Sequence, residues 1–382
     1  MTEAALVAEA DRAAAGGDLE GASARLRAAV ADGCEDPAIW LKLAAIERAL
    51  NKVREAVVAV DRALALLPFD FTALLLRASL LERLDDPNAD AAYDNALTCR
   101  PPDLIPPSLA QIVAHAERRV AAWRDRRDAR MVADAASALV DASDEERARI
   151  ARFQSNIVRR TRPYHSEPTD FHFSGLATRE YHPRRLFPWL SELEAATGDI
   201  ADELSAVMAA ERTELVPYIQ YEAHAPLAQW QALNHNRDWT AIHLWQNGAR
   251  VEANARHAPR TLALLDRIGQ PRIAGASPNA MFSLLAPHTV IPPHVGVSNA
   301  RLVCHLPLII PPGCWFRVGA ENREWRPGEA FVFDDTIEHE AANPSDELRV
   351  VFIFDVWHPD LSTVERNAVA AIVGGEGGGA GL

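Results

Sequence analysis

The amino-acid sequence predicts an α+β fold, in which all-α tetratricopeptide-like repeats precede a double-stranded β-helix, a cupin-like jelly roll with flanking helices. In the N-terminal part of the chain, small and aromatic residues recur with a spacing of about 34 residues. Beyond Leu215, short segments rich in aromatic and β-branched residues alternate with turn residues. Because no helical pattern separates these segments, they predict an antiparallel sandwich or barrel.

The composition is that of an ordinary globular chain with an acidic surface. Of the 382 residues, 48% are hydrophobic and 24% are charged, which allows two or three domains. The 39 basic and 53 acidic residues give a formal charge of −14. Such a surface repels nucleic-acid backbones and anionic membranes, so neither is expected as a partner.

The sequence also predicts a cytoplasmic location. The N-terminus lacks the basic residues and the long apolar run of a secretory signal, and no stretch reaches the ~20 apolar residues of a membrane span. The cysteines are widely spaced and form no CxxC pair, which is typical of reduced, buried thiols. They are Cys34, Cys99, Cys304 and Cys314.

Three tetratricopeptide-like repeats are predicted over residues 1–102. Small residues at fixed positions allow two antiparallel helices to approach closely, and a proline ends the second helix. In the central repeat these positions are Trp40, Leu43, Ala44, Ala56, Val60, Ala63 and Pro68, and Leu74 and Ala78 follow at the same spacing. Such a domain either recruits a peptide or partner protein, or only stabilises or dimerises the chain. The sequence does not separate these two roles.

A proline-rich break follows the repeats. Residues 103–163 are predicted as a helical linker, residues 164–365 as a second domain, and residues 366–382 as a glycine-rich disordered tail. A helix is expected over about 186–211, where apolar residues recur at helical spacing. The predicted strands cover 216–221, 241–245, 281–285, 301–310, 315–318, 330–334 and 348–356.

Two histidines and an arginine in the predicted strands carry the chemical signal. His294 and His339 lie on different strands, and Arg349 opens the strand that follows His339. Neutral imidazoles suit iron(II), and non-haem oxygenases characteristically use two histidines plus a carboxylate. The planar donor fork of an arginine suits the distal carboxylate of 2-oxoglutarate. Taken singly, each residue also fits a structural role, as a hydrogen-bonded core histidine or a surface arginine.

The run from about Tyr164 to Leu361, just over half of the chain, resembles the aspartyl/asparaginyl β-hydroxylase family. The motifs that carry the resemblance are Phe187-Pro188-Trp189-Leu190, Trp245-Gln246-Asn247-Gly248, Pro293-His294-Val295-Gly296, Asn299-Ala300-Arg301-Leu302, His305-Leu306-Pro307-Leu308, Phe333-Asp334-Asp335, Glu338-His339-Glu340, Arg349 and Asp355-Val356-Trp357. Helical repeats before such a domain also occur in this family. One position, Val303, departs from the animal peptide hydroxylases, which have an arginine there.

The resemblance implies an enzyme that uses iron(II), 2-oxoglutarate and dioxygen to hydroxylate an unactivated C–H bond. Its favoured target is the β-carbon of an aspartyl or asparaginyl residue in a peptide or protein, which the repeats would recruit. The alternatives are the same chemistry on a free acidic amino acid, a natural-product peptide or a lipid acyl chain. A non-catalytic binding protein that relies on its repeats is a further alternative.

The resemblance also implies how the metal is held. His294 and His339 would bind iron. The third ligand of a facial triad would stand two residues after His294, where this chain has Gly296. Either iron keeps an additional water there, or the gap admits a halide, as in halogenases that use the same cosubstrate.

The resemblance assigns the remaining roles residue by residue. Arg349, catalytic together with the two histidines, would hold the distal carboxylate of 2-oxoglutarate with Ser283. His305 would contact the other carboxylate of the cosubstrate. Trp245 would line the cofactor cavity, and Arg301 would help to position an acidic substrate.

Overall fold

The computed structural model describes residues 1–31, 33–101, 106–210, 215–220, 222, 224, 229–231 and 233–375. The chain divides into two compact units, Met1–Arg160 and Thr161–Leu382. Each unit has its own hydrophobic clusters. The two units are therefore described separately.

The first unit is entirely helical and begins with three helical hairpins. Small residues lie where the helices pack closely: Ala44, Ala56 and Ala78 are fully buried. Asp36 and Asp70 cap the first helices of the second and third hairpins by accepting hydrogen bonds from Ala38 N and Ala73 N. The prediction of three tetratricopeptide-like repeats is confirmed. The helices of the hairpins are α1 (Glu3–Ala15), α2 (Leu19–Val30), α3 (Pro37–Ala49), α4 (Val53–Leu66), α5 (Phe71–Arg83) and α6 (Ala89–Thr98).

Two more helices complete the first unit, α7 (Ala110–Ala135) and α8 (Asp144–Ile157). Apolar residues of α7, including Val113 and Val120, pack in one cluster with residues of α5 and α6. Two of its arginines form ion pairs with α6: Arg119 with Asp90, and Arg124 with Asp94. The residues predicted as a separate linker thus lie, up to Arg160, in the same compact unit as the repeats.

The second unit is built around two antiparallel sheets, which confirms the predicted β-helix architecture. The larger sheet has the strand order β1-β2-β4-β11-β6-β9, with β3 paired to β2, and the smaller sheet has the order β5-β10-β7-β8. The strands are β1 (Leu215–Pro217), β2 (Trp239–Gln246), β3 (Ala249–Arg250), β4 (Ala280–Leu285), β5 (Thr289–His294), β6 (Arg301–Ile309), β7 (Trp315–Val318), β8 (Glu321–Glu324), β9 (Phe331–Phe333), β10 (His339–Asn343) and β11 (Arg349–Trp357).

The larger sheet has two differently covered faces. On β6, Leu302, Cys304 and Leu306 belong to a hydrophobic cluster that includes residues of helices α10 (Thr197–Met208) and α12 (Pro259–Ile268). Alternation along the strand places Arg301, Val303 and His305 on the other face, toward the smaller sheet. The helices of this unit are α9 (Leu190–Ala195), α10 (Thr197–Met208), α11 (Glu252–Ala255), α12 (Pro259–Ile268) and α13 (Thr363–Gly375). The single helix predicted over 186–211 is in fact the pair α9 and α10.

The tail prediction was wrong for its first part. Helix α13 continues to Gly375, although disorder was expected from residue 366. At its start Ser362 N donates to the Glu365 carboxylate and Glu365 N donates to Ser362 Oγ, a capping box that fixes the first turn. The alanines and valines that follow extend the helix. Residues 376–382 lie outside the described part of the chain. Within the described residues, no helix is long and apolar enough to cross a membrane.

His182 is a buried histidine that reduces the stability of the fold at acid pH. It is 6% exposed, and neither ring nitrogen has a hydrogen-bond partner among the described residues. Its ring meets that of His358 edge to face at a centroid distance of 5.1 Å. Burial, and secondarily the neighbouring His358, lowers the pKa of His182 to about 3.

Replacing this ring should make folding less sensitive to acid. In the unfolded chain a histidine takes up a proton below about pH 6.5. The unfolded state therefore binds more protons than the fold between that pH and about pH 3, and stability falls as the pH falls. In denaturant titrations at pH 7 and pH 5, His182→Phe should lose less stability than the wild type. The exposed His165→Phe should behave like the wild type, and equal losses in all three proteins would contradict this expectation.

Candidate functional site

A cavity of about 510 Å³ lies between the two sheets of the second unit. It contains five of the seven residues to which the sequence assigned a role. These are His294, His339, Arg349, Ser283 and His305. The other lining residues are Thr169, Asp170, Tyr218, Ile219, Gln229, Trp230, Trp239, Ile291, Val295, Val297, Val303, Phe316, Trp325, Phe333, Asp335, Ala341 and Ile353.

Strand pairing brings the two histidines together. His294 ends β5, His339 begins β10, and the two are direct partners in the antiparallel register. Directly opposed residues project from the same face of a sheet. Their ring centroids are accordingly 3.9 Å apart, with an angle of 56° between the ring planes.

Both imidazoles are held in the form that binds a metal. His294 Nδ1 lies 2.7 Å from the carbonyl oxygen of Pro292, and His339 Nδ1 lies 3.1 Å from that of Ile337. A carbonyl oxygen only accepts, so each Nδ1 carries the proton and each Nε2 keeps its lone pair. Burial is the main cause that lowers the pKa of His339 to about 4 and that of His294 well below its usual value. Both rings are therefore neutral near pH 7.

The donor set fits a metal that retains positions for exogenous ligands. In the described part of the chain, no group of three or more His, Cys, Asp or Glu side chains is arranged to hold a metal ion. Two neutral imidazoles suit iron(II). With two protein ligands, the remaining positions are left for a chelating cosubstrate, oxygen and water.

The space beside Gly296 is filled by the carboxylate of Asp335. A Cβ added to Gly296 would lie 2.1 Å from Asp335 Oδ2 and 2.4 Å from its Cγ. The two residues are also joined by a backbone hydrogen bond of 2.7 Å from Gly296 N to Asp335 O. A halide in this space would lie against a carboxylate, which disfavours the halide alternative.

Arg349 is a buried cation at the inner end of the cavity. Its side chain is fully enclosed, and no acidic side chain of the described residues pairs with it. Nη1 lies 3.4 Å from Ser283 Oγ, and Nε has no partner among the described residues. The guanidinium stacks over Trp325 at 4.8 Å from the ring centroid. Burial lowers the pKa of Arg349 to about 10, so it remains charged at neutral pH.

His305 lies between the histidine pair and the arginine. Trp325 Nε1 is 3.4 Å from His305 Nδ1, and aromatic rings of Phe316 and Phe333 flank the imidazole. Burial, followed by the charges of Arg349 and His339, lowers the pKa of His305 well below its usual value. It is a neutral polar group in an aromatic wall.

Arg301 is not among the residues that line the cavity. Its side chain is 8% exposed, and Nη1 lies 3.2 Å from Asp335 Oδ2. The guanidinium is thus paired with a carboxylate of the protein itself. This geometry does not give Arg301 the contact with an acidic substrate that the resemblance implied.

The prediction that Trp245 lines the cavity was wrong. A bulge between His243 and Trp245 shifts the pairing of β2 with β4, so Trp245 lies opposite Ala280. The extra residue turns its side chain to the other face, where it packs in the cluster with the helices. Trp239 lines the cavity instead, and its Nε1 donates to Ser283 Oγ at 3.0 Å. The predicted strand began at residue 241 and missed it.

Residues outside the named strands, among them Thr169, Asp170 and Gln229, also line the cavity, and sequence reasoning missed them. Thr169 N donates to Gly296 O, and Asp170 N donates to Val297 O. Gln229 forms two hydrogen bonds with the backbone of Val295, each of 3.1 Å. The sequence offered no signal for these contacts, because they join segments far apart in the chain.

The sequence of the second unit is similar to known proteins. The sequence model of the Aspartyl/Asparaginyl beta-hydroxylase family matches residues 194–359. Over these residues the chain is similar to that family. A human aspartyl/asparaginyl beta-hydroxylase is 33% identical over 187 residues, which cover 48% of this chain and 24% of the human protein. Aspartate beta-hydroxylase domain-containing protein 2 of Xenopus tropicalis is 31% identical over 217 residues, which cover 55% of this chain and 56% of that protein.

The helical unit was compared with solved structures. The tetratricopeptide domain of Sgt2 from Aspergillus fumigatus is 16% identical, with a TM-score of 0.28. The match covers 31% of this chain and 78% of that domain. The chain spans about a quarter of the length of the human hydroxylase that it matches.

Gly296→Ala should destabilise the second unit, because the added methyl group meets the carboxylate of Asp335. Such overpacking of a filled site costs about 1–3 kcal/mol of unfolding free energy. Denaturant unfolding, followed by tryptophan fluorescence, would measure the loss.

Gly198→Ala is the matched control, because Gly198 lies in helix α10 and a Cβ there meets nothing within 4 Å. This change should be neutral or stabilising by up to about 1 kcal/mol. A Gly296→Ala protein as stable as Gly198→Ala would show that the space beside His294 is not filled.

Proposed function

We propose that this chain is an iron(II)- and 2-oxoglutarate-dependent dioxygenase that hydroxylates the β-carbon of an aspartyl or asparaginyl residue in a peptide or protein. One observation carries the proposal. A pair of buried, neutral imidazoles with free Nε2 lone pairs shares one cavity with a buried arginine that lacks an acidic partner among the described residues. The family of the domain supports the hydroxylation.

His294 and His339 would hold iron(II). When bound, the iron supplies the activation of dioxygen that an unactivated C–H bond requires. The protein contributes by fixing the two rings: each Nδ1 proton is donated to a backbone carbonyl two residues earlier, which sets the tautomer and the ring orientation. No rearrangement of either histidine is then needed for metal binding.

Arg349 would bind the distal carboxylate of 2-oxoglutarate. A buried charge without a partner is costly, and an anionic ligand with two oxygen atoms removes that cost. Ser283 Oγ lies beside Nη1 and would add a hydrogen bond to the same carboxylate. His305, between Arg349 and the histidine pair, would contact the carboxylate at the metal end.

The walls of the cavity would keep water away from the reacting centre. Trp230, Trp239 and Phe316 are close to the histidine rings, with Trp230 at a centroid distance of 4.5 Å from His294. Aromatic walls exclude water and strengthen the electrostatic contacts inside the site. This favours coupling of cosubstrate turnover to oxidation of a bound substrate.

The proposal for the substrate extends to the first unit. The three helical hairpins would recruit the protein that carries the target residue, as tetratricopeptide-like repeats are suited to do. The chain spans about a quarter of the length of the human hydroxylase, so its substrate and partners are not carried over from that protein.

Succinate formation from 2-oxoglutarate tests the proposed chemistry. Purified protein with iron(II), ascorbate and 2-oxoglutarate should form succinate, and either His294→Ala or His339→Ala should abolish it together with iron binding. The exposed His288→Ala should retain the wild-type rate. Unchanged turnover in the His294→Ala and His339→Ala proteins would refute the assignment of the metal site.

Arg349→Lys should weaken the use of 2-oxoglutarate. Lysine keeps the charge but loses the planar fork that binds a carboxylate with two hydrogen bonds. The KM for 2-oxoglutarate should rise about tenfold or more, which corresponds to roughly 1.4 kcal/mol, as measured by succinate formation. Arg326→Lys, at an exposed ion pair with Glu329, is the control and should leave the KM unchanged. Equal KM values for both variants would exclude Arg349 as the cosubstrate anchor.

A further inference from the structure

We propose that the residue hydroxylated by this chain is asparaginyl rather than aspartyl, because the described residues that line the cavity offer the substrate carboxylate oxygens and aromatic surface but no cation besides Arg349, which the cosubstrate would occupy. The inference rests on the proposed function and narrows its substrate. Aspartate and asparagine have nearly the same shape. The charge around the target therefore decides between them.

Neither of the two arginines near the cavity would offer its charge to the substrate. Of the described side chains that line it, Arg349 is the only permanently charged cation, and the cosubstrate requires it. Arg301 donates to Asp335 through Nη1, its Nη2 is buried without a hydrogen-bond partner among the described residues, and the side chain is not among those that line the cavity. Val303, on the same face of β6, adds only apolar surface. A substrate carboxylate would thus enter the cavity without a positive partner from these residues.

Two carboxylates do line the cavity. Asp335 Oδ1 is buried and accepts no hydrogen bond from the described residues. Asp170 lies at the mouth and accepts a hydrogen bond of 2.6 Å from Thr169 Oγ1. A carboxylate only accepts hydrogen bonds, so it matches the NH₂ group of an asparagine side chain. The carboxylate of an aspartate would donate no hydrogen bond to these oxygens and would add a negative charge near Asp170, which is unfavourable.

The neutral polar groups do not compensate for this arrangement. The side-chain amide of Gln229 donates to Val295 O and accepts from Val295 N, so both of its ends are used. The indole N–H of Trp239 is directed to Ser283. The rings of Trp230 and Trp239 near His294 provide flat apolar surface, which suits a neutral amide better than an ion.

The test uses two peptide libraries that are identical except for one fixed residue, Asn in one and Asp in the other. The full chain is incubated with iron(II), ascorbate, 2-oxoglutarate and either library, and the oxygen gained by the peptides is measured by mass spectrometry. The asparaginyl library should be oxidised about tenfold faster or more, since unfavourable like-charge contacts are strong in such a site. Equal rates, or faster oxidation of the aspartyl library, would overturn the inference.

Two further outcomes separate this inference from the proposed function. If succinate exceeds the His339→Ala level but neither library gains oxygen, the asparaginyl target is refuted, while the cosubstrate chemistry stands. If no succinate forms at all, the proposed function fails and the inference fails with it.

Asp170→Asn tests the source of the preference. Removal of this negative charge should reduce the ratio of asparaginyl to aspartyl oxidation roughly threefold to tenfold. Asp346→Asn is the matched control, because Asp346 is an exposed aspartate paired with His288 and is not among the residues that line the cavity. The wild-type ratio should persist in this control. An unchanged ratio in the Asp170→Asn protein would exclude Asp170 as a determinant of specificity.

Discussion

The antiparallel pairing of β5 with β10 is the constraint on which the site depends. It places His294 directly opposite His339, and every other feature of the cavity is arranged around that pair. Because side chains alternate along a strand, a slip of one residue would turn one of the two imidazoles away from its partner. The larger sheet then closes the cavity from the other side, with Ser283 and Arg349 on its neighbouring strands β4 and β11.

The two buried arginines near the cavity differ in whether a carboxylate of the protein pairs with them. Arg301 and Arg349 are both buried arginines on strands of the same sheet. Arg301 is neutralised by Asp335, whereas Arg349 is surrounded by Ser283, Trp325 and other uncharged groups. The unpaired guanidinium is therefore a structural cost that an anionic cosubstrate would offset.

The sequence was most informative where local rules apply. The positions of Ala44, Ala56 and Ala78 predicted the helical hairpins, because small residues are required wherever neighbouring helices touch. Alternation along β6 places His305 on the same face as Val303 by the same kind of local rule. The sequence failed where a contact or irregularity has no local signal. The bulge before Trp245 reverses the direction of one side chain. The pairing of Arg301 with Asp335 joins strand β6 to the turn that follows β9, and the separation of these residues in the chain hides it.

The space between Gly296 and Asp335 has a consequence for how this site varies in evolution. It has room for one carboxylate, and here that group reaches it from position 335. A lineage that acquires an acid at position 296 must first shorten the residue at 335, since both side chains would occupy the same volume. Substitutions at the two positions should therefore be fixed in a particular order, with the loss at 335 preceding the gain at 296. A move of the carboxylate from position 335 to position 296 would thus pass through an intermediate that has neither carboxylate.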